Sequence, residues 1–236
     1  MTPERIQNLL AILPVIFFAI TVHEFAHAFV AYRAGDPTPK EQGRLTLNPV
    51  AHFDPLGVMF ILFTSLTGFG FGWGKPVEIV PRNFRNPRWD ELKVAAAGPA
   101  SNILQAVVFA ILSVVVLFLQ LAFDWADPNT ILFLKKVTLL GVTINLALAF
   151  FNLVPLFPLD GEKILVQSLP LMAAVRVREF RQYGMPLFFG LLFMGQLTGG
   201  LIAPLHWWIR GFMFPFLWVY EQFYQLAFQV IISYLH

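Results

Sequence analysis

The hydrophobic residues of this chain are gathered into five long runs, which short polar stretches separate. The runs lie at about 8–31, 94–123, 131–157, 185–203 and 207–234. Each run is close to, or longer than, the roughly 20 residues that an α-helix needs to cross the hydrocarbon core of a bilayer. The pattern therefore predicts an all-α polytopic membrane protein with about five transmembrane helices. We expect one membrane domain over 1–236, with its core over 8–165 and accessory helices over 185–234.

The region between the first two runs, residues 32–93, breaks this pattern. It contains a short apolar segment, 58–74, whose second half reads GFGFGWG. Glycine at every other position disfavours a helix, whereas alternation of glycine with aromatic residues is typical of an extended strand or a hairpin. The sequence thus predicts extended structure between the first two helices.

Composition and charge agree with a membrane protein and exclude other classes. Of the 236 residues, 57% are hydrophobic and 13% are charged, whereas about a quarter of the residues of a soluble domain are charged. The net charge of +2 is small and spread along the chain, so no nucleic-acid partner is expected. Because the chain has no cysteine, disulfides and thiolate metal ligands are excluded.

The sequence HEFAH, residues 23–27, places two imidazoles and a carboxylate inside the first hydrophobic run. On a helix His23 and His27 lie one turn apart on the same face, so both can bind one metal ion, and Glu24 projects towards its bound water as a general base. The alternative is that the histidines only form hydrogen bonds to neighbouring helices. Ionisable groups within a spanning segment are costly and usually mark function, which favours the metal site.

A catalytic zinc site normally has a third protein ligand. The metzincin continuation requires glycine and histidine at the positions of Val30 and Arg33, so that class is excluded. The strongest candidate is Asp160, which ends the apolar segment NLVPLFPLDG. The alternative for Asp160 is an ordinary Asp-Gly turn that terminates a helix.

HEFAH lies towards the C-terminal end of its predicted helix, and Asp160 lies at the C-terminal end of its own. One metal ion can therefore bind all three residues only if these two helices run parallel. The parallel arrangement requires 58–74 to be re-entrant. The positive-inside rule supports the same topology, because a re-entrant 58–74 concentrates the basic residues on one side. That side carries Arg33, Lys40, Arg44, Lys75, Arg82, Arg85, Arg88, Lys93, Lys163, Arg176, Arg178 and Arg181, and the other carries Arg5, Lys135, Lys136 and Arg210. We therefore expect the N-terminus outside, the C-terminus in the cytoplasm and the metal site near the cytoplasmic face.

With these residues the chain resembles the site-2 proteases, a family of intramembrane zinc metalloproteases. It is most similar to the compact prokaryotic members without a PDZ domain. The resemblance covers at least residues 15–165. It rests on five blocks in the expected order: HEFAH, LTLNPVAHFDPLG at 45–57, GWGKPVEIVPRNFRNPR at 72–88, AAAGPASN at 95–102 and NLVPLFPLDG at 152–161. HEFAH followed by N-x-x-P-x-x-x-L-D-G is a highly specific combination.

The resemblance implies a role for each matching residue. His23, His27 and Asp160 would bind one Zn²⁺, Glu24 would be the catalytic base, and Asn152 would assist the substrate carbonyl or its oxyanion. No other cofactor is implied. The zinc-site helices would be 8–31 and 131–157, with a small membrane-associated re-entrant β-sheet over 58–80 between the first two helices.

The function implied is intramembrane proteolysis. A zinc-dependent endopeptidase would cleave transmembrane segments of membrane proteins near the cytoplasmic face of the cell (plasma) membrane, with the lipid bilayer and the substrate as partners. Two alternatives remain: a non-proteolytic membrane metal-binding or metal-transport protein, and a relative that has lost activity, against which the intact Glu24 argues. The oligomeric state is unknown from the sequence.

Four further residues carry patterns with a structural and a functional interpretation. His52 is either a metal or substrate contact or, more simply, stabilises a turn, and Glu221 either is functional or faces the helix bundle with a hydrogen bond. Gly98 and Asn102 belong to one of the family blocks, and small residues at this spacing favour close helix packing.

Overall fold

The computed structural model of the protein describes residues 3–67, 72–123 and 127–235. Its architecture is helical. The longer helices are α1 (Pro3–Ala34), α3 (Pro55–Thr67), α4 (Pro87–Ala122), α5 (Pro128–Asn152), α8 (Gly184–Leu197) and α9 (Pro204–Leu235), and the shorter ones are α2 (Thr38–Glu41), α6 (Asp160–Ser168) and α7 (Leu171–Phe180). Short 3₁₀ turns lie at Pro49–His52, Pro81–Asn83 and Arg181–Tyr183.

The expected β-sheet over 58–80 is wrong. Residues 55–67 form α3, residues 72–80 have no regular secondary structure, and the described residues include no β-strand. The apolar run VMFILF has no polar alternation, so it folds as a helix, and residues 68–71 of the GFGFGWG motif lie outside the described residues. Gly57 packs against the Trp73 carbonyl, with room for no side chain, so the segment does fold back on its own start.

The expectation of about five transmembrane helices is also corrected. Three helices of the described residues are long and apolar enough to cross a membrane, namely α1, α4 and α5, and this associates the protein with a membrane. Helix α8 has only 14 residues. Helix α9 has 32 residues, but Arg210, Glu221 and several glutamines interrupt its apolar character.

Helices α1, α4 and α5 pack against one another, and α9 packs along α4 and α5. Between α4 and α5 the core consists of Ala106, Val142, Leu146 and Phe150, which residues of α9 cover. The Trp208 indole of α9 donates to the Phe150 carbonyl at 3.0 Å. These contacts fix the positions of the two helices that surround the histidines of α1.

Helix α5 begins and ends as its local sequence dictates. The Asp127 carboxylate caps it by accepting from the Thr130 N–H at 2.8 Å, and Pro128 occupies the first helical position, where it needs no donor. The helix ends at Asn152, and a loop that contains the cis peptide bond Phe157–Pro158 leads to α6. Asp160 is therefore the first residue of a separate helix rather than the end of the preceding one.

Candidate metal centre

Helix α1 places the two histidines of HEFAH on its face towards α4. Their side chains are buried, and the Nε2 atoms of His23 and His27 are 3.0 Å apart. The rings stand nearly perpendicular, at 81°. The one-turn spacing thus aims both imidazoles at a single point, as expected for residues i and i+4 of a helix.

Asp160 reaches the same point from the other end of the sequence. Its Oδ2 lies 3.0 Å from Nε2 of His27 and 3.3 Å from Nε2 of His23. Gly161 makes this approach possible, because a Cβ there would lie 2.3 Å from the Val154 carbonyl oxygen.

The other ring nitrogens of both histidines have hydrogen-bond partners on α4. His27 Nδ1 donates to the Val94 carbonyl at 2.7 Å, and His23 Nδ1 donates to Asn102 Oδ1 at 2.6 Å. Because a neutral imidazole carries only one proton, these bonds leave the Nε2 lone pairs free. Two bare nitrogens and a carboxylate oxygen then face one another.

This donor set fits a metal ion. The three ligand atoms lie within 4.8 Å of one another, and zinc bonds of 2.0–2.1 Å in a tetrahedron separate ligand atoms by about 3.3 Å. Acceptor atoms so close together repel one another unless a cation lies between them. Gly98 provides the space: a Cβ there would lie 2.3 Å from His27 Nε2 and 2.6 Å from His23 Nε2, nearly at metal–ligand distances.

Glu24 and Asn152 lie beside the cluster and line the same cavity of about 380 Å³. The Glu24 carboxylate accepts from the Val77 backbone N–H at 3.0 Å, so the segment 72–80 holds it. Asn152 donates through Nδ2 to the Leu148 carbonyl at 3.0 Å. All five residues predicted as site residues therefore line one cavity. In the sequence, only the three residues of HEFAH are close together.

His52 and Glu221 lie outside the cluster. His52 is fully buried, and its Nε2 donates to the Thr46 carbonyl at 2.8 Å, which agrees with a turn-stabilising role. Burial lowers the pKa of His52 and keeps it neutral. Glu221 is exposed and accepts from Gln225 of its own helix at 2.8 Å, so it does not face the bundle.

Sequence reasoning missed Asn102, Asn145 and Val77 as parts of the site. Asn102 and Gly98 were assigned to helix packing, although their spacing of four residues puts them on the same face of α4. Asn145 is a polar residue in the apolar run of α5, which is a signal by itself because such residues are costly in a membrane helix. Val77 acts through its backbone, and no side-chain pattern indicates that.

Comparison with known proteins supports this interpretation. The chain is 36% identical over 203 residues to "Putative zinc metalloprotease YwhC" of Bacillus subtilis, which covers 86% of this chain and 88% of the relative. It is 31% identical over 192 residues to "Putative zinc metalloprotease Rip2" of Mycolicibacterium smegmatis, covering 80% of this chain and 69% of the relative. The Mycobacterium tuberculosis Rip2 is 26% identical over 197 residues, with the same coverage.

No family model matches the chain, and no solved structure matches it at a significant level. The relatedness to YwhC nevertheless extends over most of both sequences. The chain therefore belongs to the family of zinc metalloproteases that includes YwhC and Rip2, in agreement with its resemblance to site-2 proteases without a PDZ domain.

Proposed function

We propose that this protein is an intramembrane endopeptidase, which uses one zinc ion to hydrolyse peptide bonds in membrane-spanning segments of other proteins. The observation that carries the proposal is the position of the cluster. His23, His27 and the adjacent Glu24 belong to α1, a helix long and apolar enough to cross a membrane, and they open into a cavity of about 380 Å³. A hydrolytic site on such a helix can act on peptide bonds within the bilayer.

The ligand residues His23, His27 and Asp160 would hold the zinc ion, which supplies Lewis-acid polarisation of a carbonyl and an acidic bound water. Glu24 Oε1 would accept a proton from the attacking water and later return it to the leaving amine. The Val77 N–H occupies one Glu24 oxygen, and this orients the carboxylate without neutralising it. Glu24 thus remains available as a base on the wall of the cavity.

Asn152 would stabilise the oxyanion. One N–H of its amide donates to the Leu148 carbonyl, which fixes the side-chain orientation. The amide has a second N–H, and this group is the one we assign to the developing negative charge. Because Asn152 ends α5 and Asp160 begins α6, one short loop sets the distance between the oxyanion donor and the third ligand.

We base the proposed substrate and membrane topology on the site and the charges. A helical substrate hides its carbonyls in its own hydrogen bonds, so cleavage requires a segment that unwinds easily. Lys163 belongs to the basic side in the topology that we propose, and it lines the cavity and lies 3.6 Å from Asp160 Oδ1, which supports a site near that side. By the positive-inside rule we assign that side to the cytoplasm, with the protein in the plasma membrane and its N-terminus outside.

A reconstituted cleavage assay tests this proposal. The full chain is placed in proteoliposomes with a single-span reporter whose transmembrane segment contains glycine and asparagine, and a polyleucine reporter serves as the resistant control. We expect the wild type to cut the first reporter only. Glu24→Gln should bind zinc normally and cut neither, because the amide cannot accept the proton, whereas Glu41→Gln, at an exposed acid of α2, should cut normally.

The same vesicles discriminate against the non-proteolytic alternative. A zinc-sensitive dye inside them measures metal flux. Zinc flux without cleavage of any reporter would show a metal transporter, and cleavage by Glu24→Gln at the wild-type rate would show that Glu24 is not the base.

A further inference from the structure

Two asparagine side chains connect the cluster to the middle of α5. Asn102 on α4 and Asn145 on α5 are both fully buried. Together with His23 on α1 they form an unbroken chain of hydrogen bonds across the three helices that are long enough to span a membrane. Asn102 accepts from His23 in the zinc site described above, whereas Asn145 has no role there.

The chain of hydrogen bonds has one allowed direction. Asn145 lies 2.9 Å from the Gly141 carbonyl, which can only accept, so the NH₂ of Asn145 must face it. The Oδ1 of Asn145 is then turned towards Asn102. With the amide reversed, two carbonyl oxygens would lie 2.9 Å apart, and this arrangement is repulsive.

The orientation of Asn102 follows from two acceptors. Its nitrogen lies 2.9 Å from Asn145 Oδ1 and 3.4 Å from the Ala19 carbonyl of α1. Both neighbours accept, so this end of Asn102 is the NH₂ end. Its Oδ1 is consequently directed at His23 Nδ1, 2.6 Å away. An oxygen there requires the proton of the His23 imidazole to be on Nδ1, which leaves Nε2 bare.

We propose that Asn102 and Asn145 are positioning residues. The Gly141 carbonyl orients Asn145, Asn145 orients Asn102, and Asn102 holds the His23 imidazole in the tautomer that binds metal. This inference rests on the proposed zinc site. His27 needs no such device, because its Nδ1 partner is the Val94 carbonyl, a backbone group that cannot turn round. The partner of His23 is a side-chain amide, and rotating it by half a turn would present a donor and reverse the tautomer.

Burial of an amide in this bundle does not by itself create such a chain. Gln105 lies on α4 one turn from Asn102, and it is also buried, yet neither its oxygen nor its nitrogen has a hydrogen-bond partner. Gln105 therefore provides a matched control: a buried amide of the same helix that is not connected to the histidines.

The test measures the zinc affinity of the purified full chain by competition with a chromophoric chelator. Asn145→Leu should weaken zinc binding about 10- to 100-fold, the usual effect of removing an outer-shell partner. Gln105→Met should leave the affinity unchanged. Asn102→Asp presents an acceptor to His23 in either orientation, so it should bind zinc, and adding Asn145→Leu to it should cause no further loss.

Two outcomes would overturn the inference. The first is an unchanged zinc affinity in Asn145→Leu. The second is that Asn145→Leu lowers the zinc affinity equally in the wild-type protein and in Asn102→Asp. The second result would show a packing effect rather than an orienting one. A readout without metal separates this failure from that of the zinc site. In ¹⁵N-histidine spectra of the metal-free protein, His23 Nδ1 should be protonated in the wild type and should lose that single state in Asn145→Leu, whether or not zinc binds.

Discussion

A single methyl group at position 98 should weaken metal binding at least about 100-fold. Gly98 lies on α4 directly opposite the imidazoles, and an alanine Cβ would lie 2.3 Å from His27 Nε2, 2.5 Å from His23 Cε1 and 2.6 Å from His23 Nε2. Ordinary contacts of a Cβ begin at 3.4 Å, so the His27 ring must retreat by about 1.1 Å. Metal–ligand distances tolerate only about 0.2 Å, and the retreat is several times larger.

The helix has no easier way to make room. If α4 moves away instead, it carries Val94 and Asn102 with it, and the hydrogen bonds that orient both imidazoles lengthen. Loss of an outer-shell partner alone weakens metal binding about 10- to 100-fold. Displacing a ligand should cost at least the upper figure, a factor of about 100 or roughly 2.7 kcal/mol of binding free energy.

Chelator competition on purified Gly98→Ala measures this loss, and thermal unfolding of the metal-free protein shows whether the fold survives. Gly190→Ala is the matched control, because a Cβ at that helical glycine meets nothing within 4 Å. If Gly98→Ala is folded and binds zinc as tightly as the wild type, the assignment of the metal to this point is wrong.

Two further variants test the support of the site. Val77→Pro removes the N–H that orients Glu24 and should lower kcat by up to about 100-fold at unchanged zinc content. Val77→Ala keeps the N–H and should retain kcat. Equal activity of the two variants would contradict the orienting role. Asp36→Asn should destabilise the fold by about 1–3 kcal/mol in thermal unfolding at neutral pH, because the fully buried carboxylate accepts from Thr38, Val80 and Asn83. Burial alone would raise the pKa of Asp36, but these bonds lower it. The difference in unfolding free energy between the wild type and Asp36→Asn should therefore shrink as the pH falls below 3.8. A difference that stays constant with pH would show that the ionised carboxylate is not its cause.

Local spacing predicted the part of the site that belongs to one helix. The i, i+4 separation of His23 and His27 requires both rings to meet on one face, whatever the rest of the fold does. Asp160 is 133 residues away from His27, and only the block NLVPLFPLDG associated it with HEFAH. The structure brings the three together, and their roles as ligands stay predictions.

The predicted sheet failed because the aromatic and glycine alternation covers only the end of the segment. Residues 58–63 are continuously apolar, and residues 55–67 form the helix α3. Residues 72–80 form no strand, and their amides bond to the His52 carbonyl and to Glu24 instead of to a strand partner.

Polar residues of the apolar helices were the undervalued signal. Asn102 and Asn145 stand in runs where a membrane helix favours hydrocarbon, and both are hydrogen-bonded in the interior. Each was explicable by packing when its helix was considered alone. Their connection depends on the register between α1, α4 and α5, which no single helix encodes.

The most direct test of the whole account is the metal content of the purified protein, determined by elemental analysis beside that of Asp160→Ala. Convergence of His23, His27 and Asp160 on one ion predicts one zinc per wild-type chain and a clear loss in the variant. Equal zinc in both proteins, or no zinc in the wild type, would contradict it.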